Sequence, residues 1–229
     1  MRLQKYLAQA GVASRRKAEE YIKEGLVRVG DEVITDMGYK VEEGDEVYFK
    51  DQLVTPEEEH VYYAFYKPRE VLSTVSDDRG RKTVLDFYDG SYRIYPIGRL
   101  DYYSEGLLLL TNDGDMALKL SHPRYDKEKV YLVWTTRKLT KEEKEKLQSG
   151  MEIDGYQTRP IKIRERKNCY EFTLNEGRNR QIRRMFEAID HPVLALQRIR
   201  VGELKLGRLP MGKTRKLNNQ ELKWLKTIE

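Results

Sequence analysis

An α+β fold is predicted, with a small N-terminal α/β module followed by a larger domain on a mixed, mostly antiparallel sheet. Three observations predict it. Two amphipathic helical runs and a few short alternating runs fill the first fifty or so residues. An acidic stretch with a proline, residues 51–60, then interrupts the pattern. Beyond it, aromatic and β-branched runs alternate with helical ones to the end of the 229 residues. The expected division is 1–58 for the module and its linker and 59–229 for the larger domain.

In the module, Leu3, Tyr6, Leu7 and Ala10 follow the i, i+3, i+4, i+7 spacing of a helix that Gly11 stops. Ser14 offers an N-cap to a second helix, whose stripe is Ala18, Tyr21 and Ile22 and whose end is Gly25. Leu26 to Val29 and Glu32 to Ile34 alternate as strands around Gly30-Asp31, and Glu46 to Phe49 adds a third. In the larger domain Val61 to Tyr66 forms a strand ending at Lys67-Pro68, and Leu107 to Thr111 a buried strand closed by Asn112-Asp113-Gly114. Val130 to Trp134, Tyr170 to Leu174 and Val193 to Val201 complete the strands. Thr140 with Glu143 makes a capping box for a helix running to about Gln148, and Asn218 with Glu221 starts a last helix.

Composition excludes several classes. Apolar runs such as Leu107 to Leu110 fall far short of the roughly 18 residues of a membrane span. The opening Met1-Arg2-Leu3-Gln4-Lys5 has no apolar secretory segment, so no membrane and a cytoplasmic setting are expected. A single cysteine, Cys169, leaves no internal disulfide and no cysteine-based zinc site. Dinucleotide and phosphate-cradling glycine motifs are absent, as is any metal-ligand cluster, so neither cofactor nor metal is expected. His60, His122 and His191 are scattered and are expected to be structural or exposed.

The net charge of +5 is unevenly spread. Residues 1–28 carry seven Lys/Arg against three Glu, and residues 176–216 carry eleven against four Asp/Glu. Between them, residues 29–60 hold two Lys against eleven Asp/Glu. Two separated basic stretches fit two contacts with a polyanion, though solvated faces would read the same way. In the second stretch Ile182, Met185, Phe186 and Ile189 share one helical face, while Arg180, Arg184 and Glu187 lie opposite. Arg183 falls at the margin, where its planar fork could reach inward to a carboxylate. Gly177-Arg178-Asn179 precedes this helix, with Asn179 as the expected N-cap. In the first stretch Arg15, Arg16 and Lys17 occupy the opening turn of a helix. Cations there oppose the helix dipole, and together with the helix N-terminus they suit a phosphate partner.

The segment Gly98-Arg99-Leu100-Asp101-Tyr102-Tyr103-Ser104-Glu105-Gly106-Leu107-Leu108-Leu109-Leu110-Thr111-Asn112-Asp113-Gly114 resembles the active-site motif of ribosomal RNA pseudouridine synthases. Three further stretches agree in order. Residues 3–50, with Ser14-Arg15-Arg16-Lys17-Ala18-Glu19, resemble an S4 RNA-binding domain. Lys129-Val130-Tyr131 is similar to that family's tyrosine-bearing strand, and Glu176-Gly177-Arg178-Asn179-Arg180-Gln181-Ile182-Arg183-Arg184-Met185 to its basic motif. The resemblance implies an S4-type module plus a pseudouridine synthase domain. It implies Asp101 as the catalytic aspartate, Tyr131 as the active-site tyrosine and Arg183 as the basic residue paired with the aspartate. Arg15, Arg16 and Lys17 would face RNA, and Arg99, Arg178 and Arg180 are further RNA-binding candidates. Tyr103 stands where that family usually has an acidic residue, and Ser104 where threonine is commoner.

The implied reaction breaks the uridine N1–C1′ bond, turns the base and joins C5 to C1′, with no redox change and no group donor. A carboxylate can act covalently at a sugar or base carbon, or stabilise positive character at C1′. Either role calls for an ionised side chain facing an extruded base. Tyr131 could stack on that base and bring its hydroxyl near C5. The partner implied is ribosomal RNA, and the form Gly177-Arg178-Asn179-Arg180-Gln181 points to the large subunit; a monomer is the default expectation. The alternatives are a small-subunit enzyme, a non-catalytic RNA-binding or ribosome-assembly factor, and metal-dependent chemistry at Asp113 and Asp115. The last is disfavoured because Asn112-Asp113-Gly114 is more simply a turn.

Overall fold

A computed structural model describes residues 1–121 and 127–228; His122 lies outside the described residues. The chain divides into two compact units. One is Met1–Val61 with Ser91–Arg93 and Asn112–Gly114, and the other is the remainder. The division lies within three residues of the sequence boundary at 58, but the two short later segments that join the first unit carry no sequence signal of it.

In the first unit, α1 (Leu3–Gln9) and α2 (Arg15–Lys23) accompany β1 (Val27–Val29), β2 (Glu32–Val33), β3 (Val47–Phe49) and β4 (Gln52–Leu53). Ser14 caps α2 as expected, its hydroxyl accepting the Lys17 N–H at 3.2 Å. The sheet runs β2-β1-β3-β4, antiparallel throughout. Leu3, Leu7, Ala18, Ile22, Val27 and Val47 from both helices and two strands form its core. Strand β4 lies inside the stretch expected to be linker. Its turn uses Lys50 and Asp51 at φ 47° and 62°, left-handed positions that glycine or asparagine usually announces, so the hairpin carries no glycine signal.

In the larger unit the strands are β5 (Tyr62–Lys67), β6 (Tyr95–Ile97), β7 (Glu105–Thr111), β8 (Lys129–Thr135), β9 (Glu152–Ile153), β10 (Tyr156–Gln157), β11 (Lys162–Glu165), β12 (Tyr170–Leu174), β13 (Val193–Val201), β14 (Leu204–Lys205) and β15 (Thr214–Lys216). The helices that follow α2 in the chain are α3 (Gly114–Ser121), α4 (Lys141–Ser149), α5 (Gln181–Glu187) and α6 (Asn219–Lys226). The main sheet runs β11-β12-β8-β13-β7-β5-β15, with β14 beside β13 and β6 beside β7. Among the described residues only β7 and β13 pair in parallel within this sheet, so the sheet is mixed and mostly antiparallel as predicted. The capping box of α4 is closed both ways, Glu143 N–H to Thr140 Oγ1 at 3.2 Å and Thr140 N–H to Glu143 Oε2 at 2.8 Å. Asn218 caps α6 by accepting the N–H groups of Gln220 and Glu221.

One core gathers Leu147 of α4, Phe172 of β12, Met185 and Phe186 of α5 and Leu196 of β13, with the two phenyl rings 5.5 Å apart. The predicted apolar face of α5 is the one buried here. A second core joins Leu107 and Leu109 of β7 to Leu204, Leu206 and Leu225. Helix α5 departs from expectation at its start: Arg180, not Asn179, is the capping residue, in the left-handed region at φ 51° and with no side-chain cap. Among the described residues no helix is long and apolar enough to cross a membrane.

Candidate active site

Register places the site. Tyr131 of β8 pairs with Arg198 of β13, and Arg198 pairs with Gly106 of β7, so three adjacent strands present them in one line. The loop from Gly98 to Ser104 feeds β7 and carries Asp101. One cavity of about 640 Å³ is lined by Arg99, Asp101, Tyr131, Arg178, Arg180 and Arg198, within the size range of small-molecule sites. Five of the residues singled out in the sequence therefore share this cavity. Arg198 was not among them; it is a buried arginine whose Nε donates to the Leu107 carbonyl at 2.8 Å.

The Asp101 loop is held through its backbone. Five successive carbonyls, Leu100 to Ser104, each accept a hydrogen bond. Ser73 Oγ donates to Leu100 O at 2.8 Å, and Ser104 N–H to Asp101 O at 3.0 Å. Glu70 N–H donates to Tyr102 O at 2.7 Å, Arg183 Nη2 to Tyr103 O at 3.1 Å, and Lys67 Nζ to Ser104 O at 2.8 Å. Carbonyls tied at every residue from Leu100 to Ser104 leave little freedom to the backbone that carries Asp101, the kind of preorganisation a catalytic group would need.

Arg183 makes a different contact from the direct pairing that the resemblance implies. Among the described residues no ion pair within 4.0 Å joins it to Asp101; its hydrogen bond goes to the carbonyl two residues further on. Burial lowers the guanidinium below its ordinary value and Arg180 adds to this, while Asp101 attracts and opposes it. Its Nε is buried without a hydrogen-bond partner among the described residues. Tyr103, in place of an acidic residue, leaves its ring half-exposed and edge-on to Tyr102, with centroids 5.0 Å apart, so only its carbonyl serves the loop.

Lys67, like Arg198, is a residue that sequence reasoning passed over. It ends β5, is 0 % exposed, and donates to the Pro68 and Ser104 carbonyls, both at 2.8 Å. Burial pushes its ammonium down to about 8, while Asp101 and Glu105 pull the other way. Lysine is almost never fully buried unless partnered, so a strand-terminal Lys-Pro gave no hint. The unfolded chain, with the ordinary value of 10.5, binds more protons than the folded one between pH 8 and 10.5. Lys67 should therefore make stability rise with pH across that window and contribute no slope below it. Urea unfolding of wild type and Lys67→Met should show the gap shifting in favour of wild type between pH 8 and pH 10. A gap that stays constant contradicts a buried, destabilised ammonium.

The remaining cations singled out in the sequence lie on the first unit. Arg15, Arg16 and Lys17 are exposed at the start of α2. Lys17 is partly committed, pairing with Glu20 at 2.6 Å. Arg15 lines a shallow groove with Arg2, Gln4, Lys5 and Glu19.

A carboxylate on a braced loop, sharing one cavity with a tyrosine and several arginines, is the equipment of an enzyme that acts on a polyanionic substrate. Comparisons narrow the class. Residues 61–188 match the family described as RNA pseudouridylate synthase, and residues 1–47 match the S4 domain. The chain is 46% identical to the ribosomal large subunit pseudouridine synthase B of Bacillus subtilis, covering 99% of this chain and 96% of that protein. It is 38% identical to the dual-specificity RNA pseudouridine synthase RluF of Escherichia coli, over 97% of this chain and 77% of that one. A crystal structure of a pseudouridylate synthase superposes with a TM-score of 0.71 at 29% identity, covering 98% of this chain and 99% of that one. The chain belongs to the RNA pseudouridylate synthase family and carries an S4 domain.

Proposed function

We propose that this protein isomerises a specific uridine in large-subunit ribosomal RNA to pseudouridine, with Asp101 as the catalytic carboxylate. The observation that carries the reading is the cavity that holds Asp101 on its braced loop together with Tyr131 and the arginines Arg99, Arg178 and Arg180. The similarity to a large-subunit enzyme over nearly the whole chain supports the choice of RNA. In the reaction the N1–C1′ bond breaks, C5 bonds to C1′, the C5 proton leaves and N1 gains a proton, so atoms balance without an external reagent. Asp101 serves at the sugar or base carbon, and Tyr131 stacks on the base with its hydroxyl toward C5. Arg183 and Lys67 position the carboxylate through the loop carbonyls. Mapping pseudouridine in ribosomal RNA from wild-type and deletion cells tests this reading. Loss of one large-subunit site supports it; loss confined to small-subunit RNA, or no loss, counts against it.

Arg15, Arg16 and Lys17 form a second docking point, with RNA phosphates. Replacing all three by neutral residues should weaken RNA binding and flatten its salt dependence by about 0.7 in log–log slope for each phosphate left without its cation. Because Lys17 already holds Glu20, the two arginines should account for most of the change. An unchanged slope in filter-binding titrations would show that RNA does not dock on this face.

A further inference from the structure

Arg178 stands apart from the other cations of the cavity in how it is held. Its guanidinium carbon lies 3.3 Å from the centroid of the Tyr156 ring, a stacked contact. The Tyr156 hydroxyl donates to Glu176 Oε2 at 2.7 Å. Glu176 is only 9 % exposed, and its other oxygen accepts from the Arg159 N–H at 3.0 Å and from Gln181 Nε2. Gln181 Oε1 in turn accepts the Arg178 backbone N–H at 3.2 Å. Arg178 is therefore tied at both ends to one buried carboxylate, its backbone through Gln181 and its side chain through Tyr156. Among the described residues no carboxylate pairs with its guanidinium, and the side chain is exposed at the cavity that holds Asp101.

A cation that only meets phosphate needs charge and reach, and a solvated, flexible side chain supplies both. A ring beneath the guanidinium and a tether on the backbone add something different, a plane of fixed orientation. Such planes stack on unpaired bases, and RNA recognition at extruded nucleotides relies on them. We propose that Arg178, backed by Tyr156 and positioned through Glu176 and Gln181, is a stacking platform for a base next to the target uridine and so helps to select the site. The inference rests on the reading of this cavity as the uridine site. Tyr156 and Glu176 are positioning residues, acting through Arg178.

The test uses the full chain and a large-subunit RNA fragment whose target uridine has been located by carbodiimide–primer-extension mapping. Fragments with an abasic nucleotide at each neighbouring position serve as the comparison. With the natural fragment, Arg178→Lys should raise KM about tenfold with kcat unchanged, since stacking on a base is typically worth that much. With one abasic fragment, wild type and Arg178→Lys should become equal, because the base that used the plane is gone. Tyr156→Leu should show the same dependence on that one base, which a general folding defect would not. A salt slope equal to wild type in Arg178→Lys supports the plane over the charge. Full activity of Arg178→Lys beside a defective Arg178→Ala would overturn the platform in favour of a phosphate contact. So would a lysine defect that persists with every abasic fragment. No product from wild type on any RNA would remove the uridine reading itself, and this inference with it.

Discussion

Asp101→Asn should bind its RNA with near wild-type affinity and yield no product. The change removes the ionised oxygen but keeps size and shape. The loop will not notice, because it is held through the carbonyls of Leu100 to Ser104 by Ser73, Glu70, Arg183, Lys67 and its own turn. No hydrogen bond to the Asp101 side chain supports the fold among the described residues, so the variant should unfold like wild type. The arginines that line the cavity are likewise untouched. Loss of an essential catalytic group lowers turnover on the order of 10⁴-fold or more. Filter binding with turnover on the same preparation checks this. Equal loss of affinity and turnover would instead make Asp101 a binding residue.

Gly106→Ala should cost on the order of 3 kcal/mol of stability or more, combining overpacking with a backbone penalty. Gly106 sits at φ 111°, and a Cβ there would come 2.2 Å from the Arg198 carbonyl oxygen and 2.6 Å from its nitrogen. These are backbone atoms of the neighbouring strand, so nothing can swing aside. The pairing of Arg198 with Gly106 belongs to the parallel ladder of β7 and β13, and it brings the strand carrying Arg198 against the end of the Asp101 loop. The variant should therefore lose activity along with stability, since Arg198 lines the cavity and bonds Leu107 beside the glycine. Chemical denaturation measures the effect. Wild-type stability would mean that β7 and β13 do not approach so closely.

What could be read ahead of the structure depends on where each signal lives. Local chemistry was legible: the Ser14, Thr140 and Asn218 caps, and the strands Tyr170–Leu174 and Val193–Val201, stand where side-chain pattern put them. Asp101 was legible only through resemblance, since an aspartate before a strand is otherwise an ordinary turn residue. Strand β4 hid behind a turn built from Lys50 and Asp51. The β9–β10 hairpin did have a signal, Asp154-Gly155 at φ 50° and 75°, and it carries Tyr156. Arg183 was placed correctly at the margin of its helix face, but its partner is a backbone carbonyl 80 positions away, and no sequence pattern tells which carbonyls lack a donor. Lys67 and the Arg178–Tyr156 stack escaped for the same reason, because both exist only where distant segments meet.

Transcribed large-subunit ribosomal RNA, incubated with wild-type protein or with Asp101→Asn and mapped by carbodiimide modification and primer extension, tests the role of Asp101 most directly. Wild type should give one new pseudouridine stop and the variant none. A stop of comparable intensity from Asp101→Asn would contradict a catalytic carboxylate at this position.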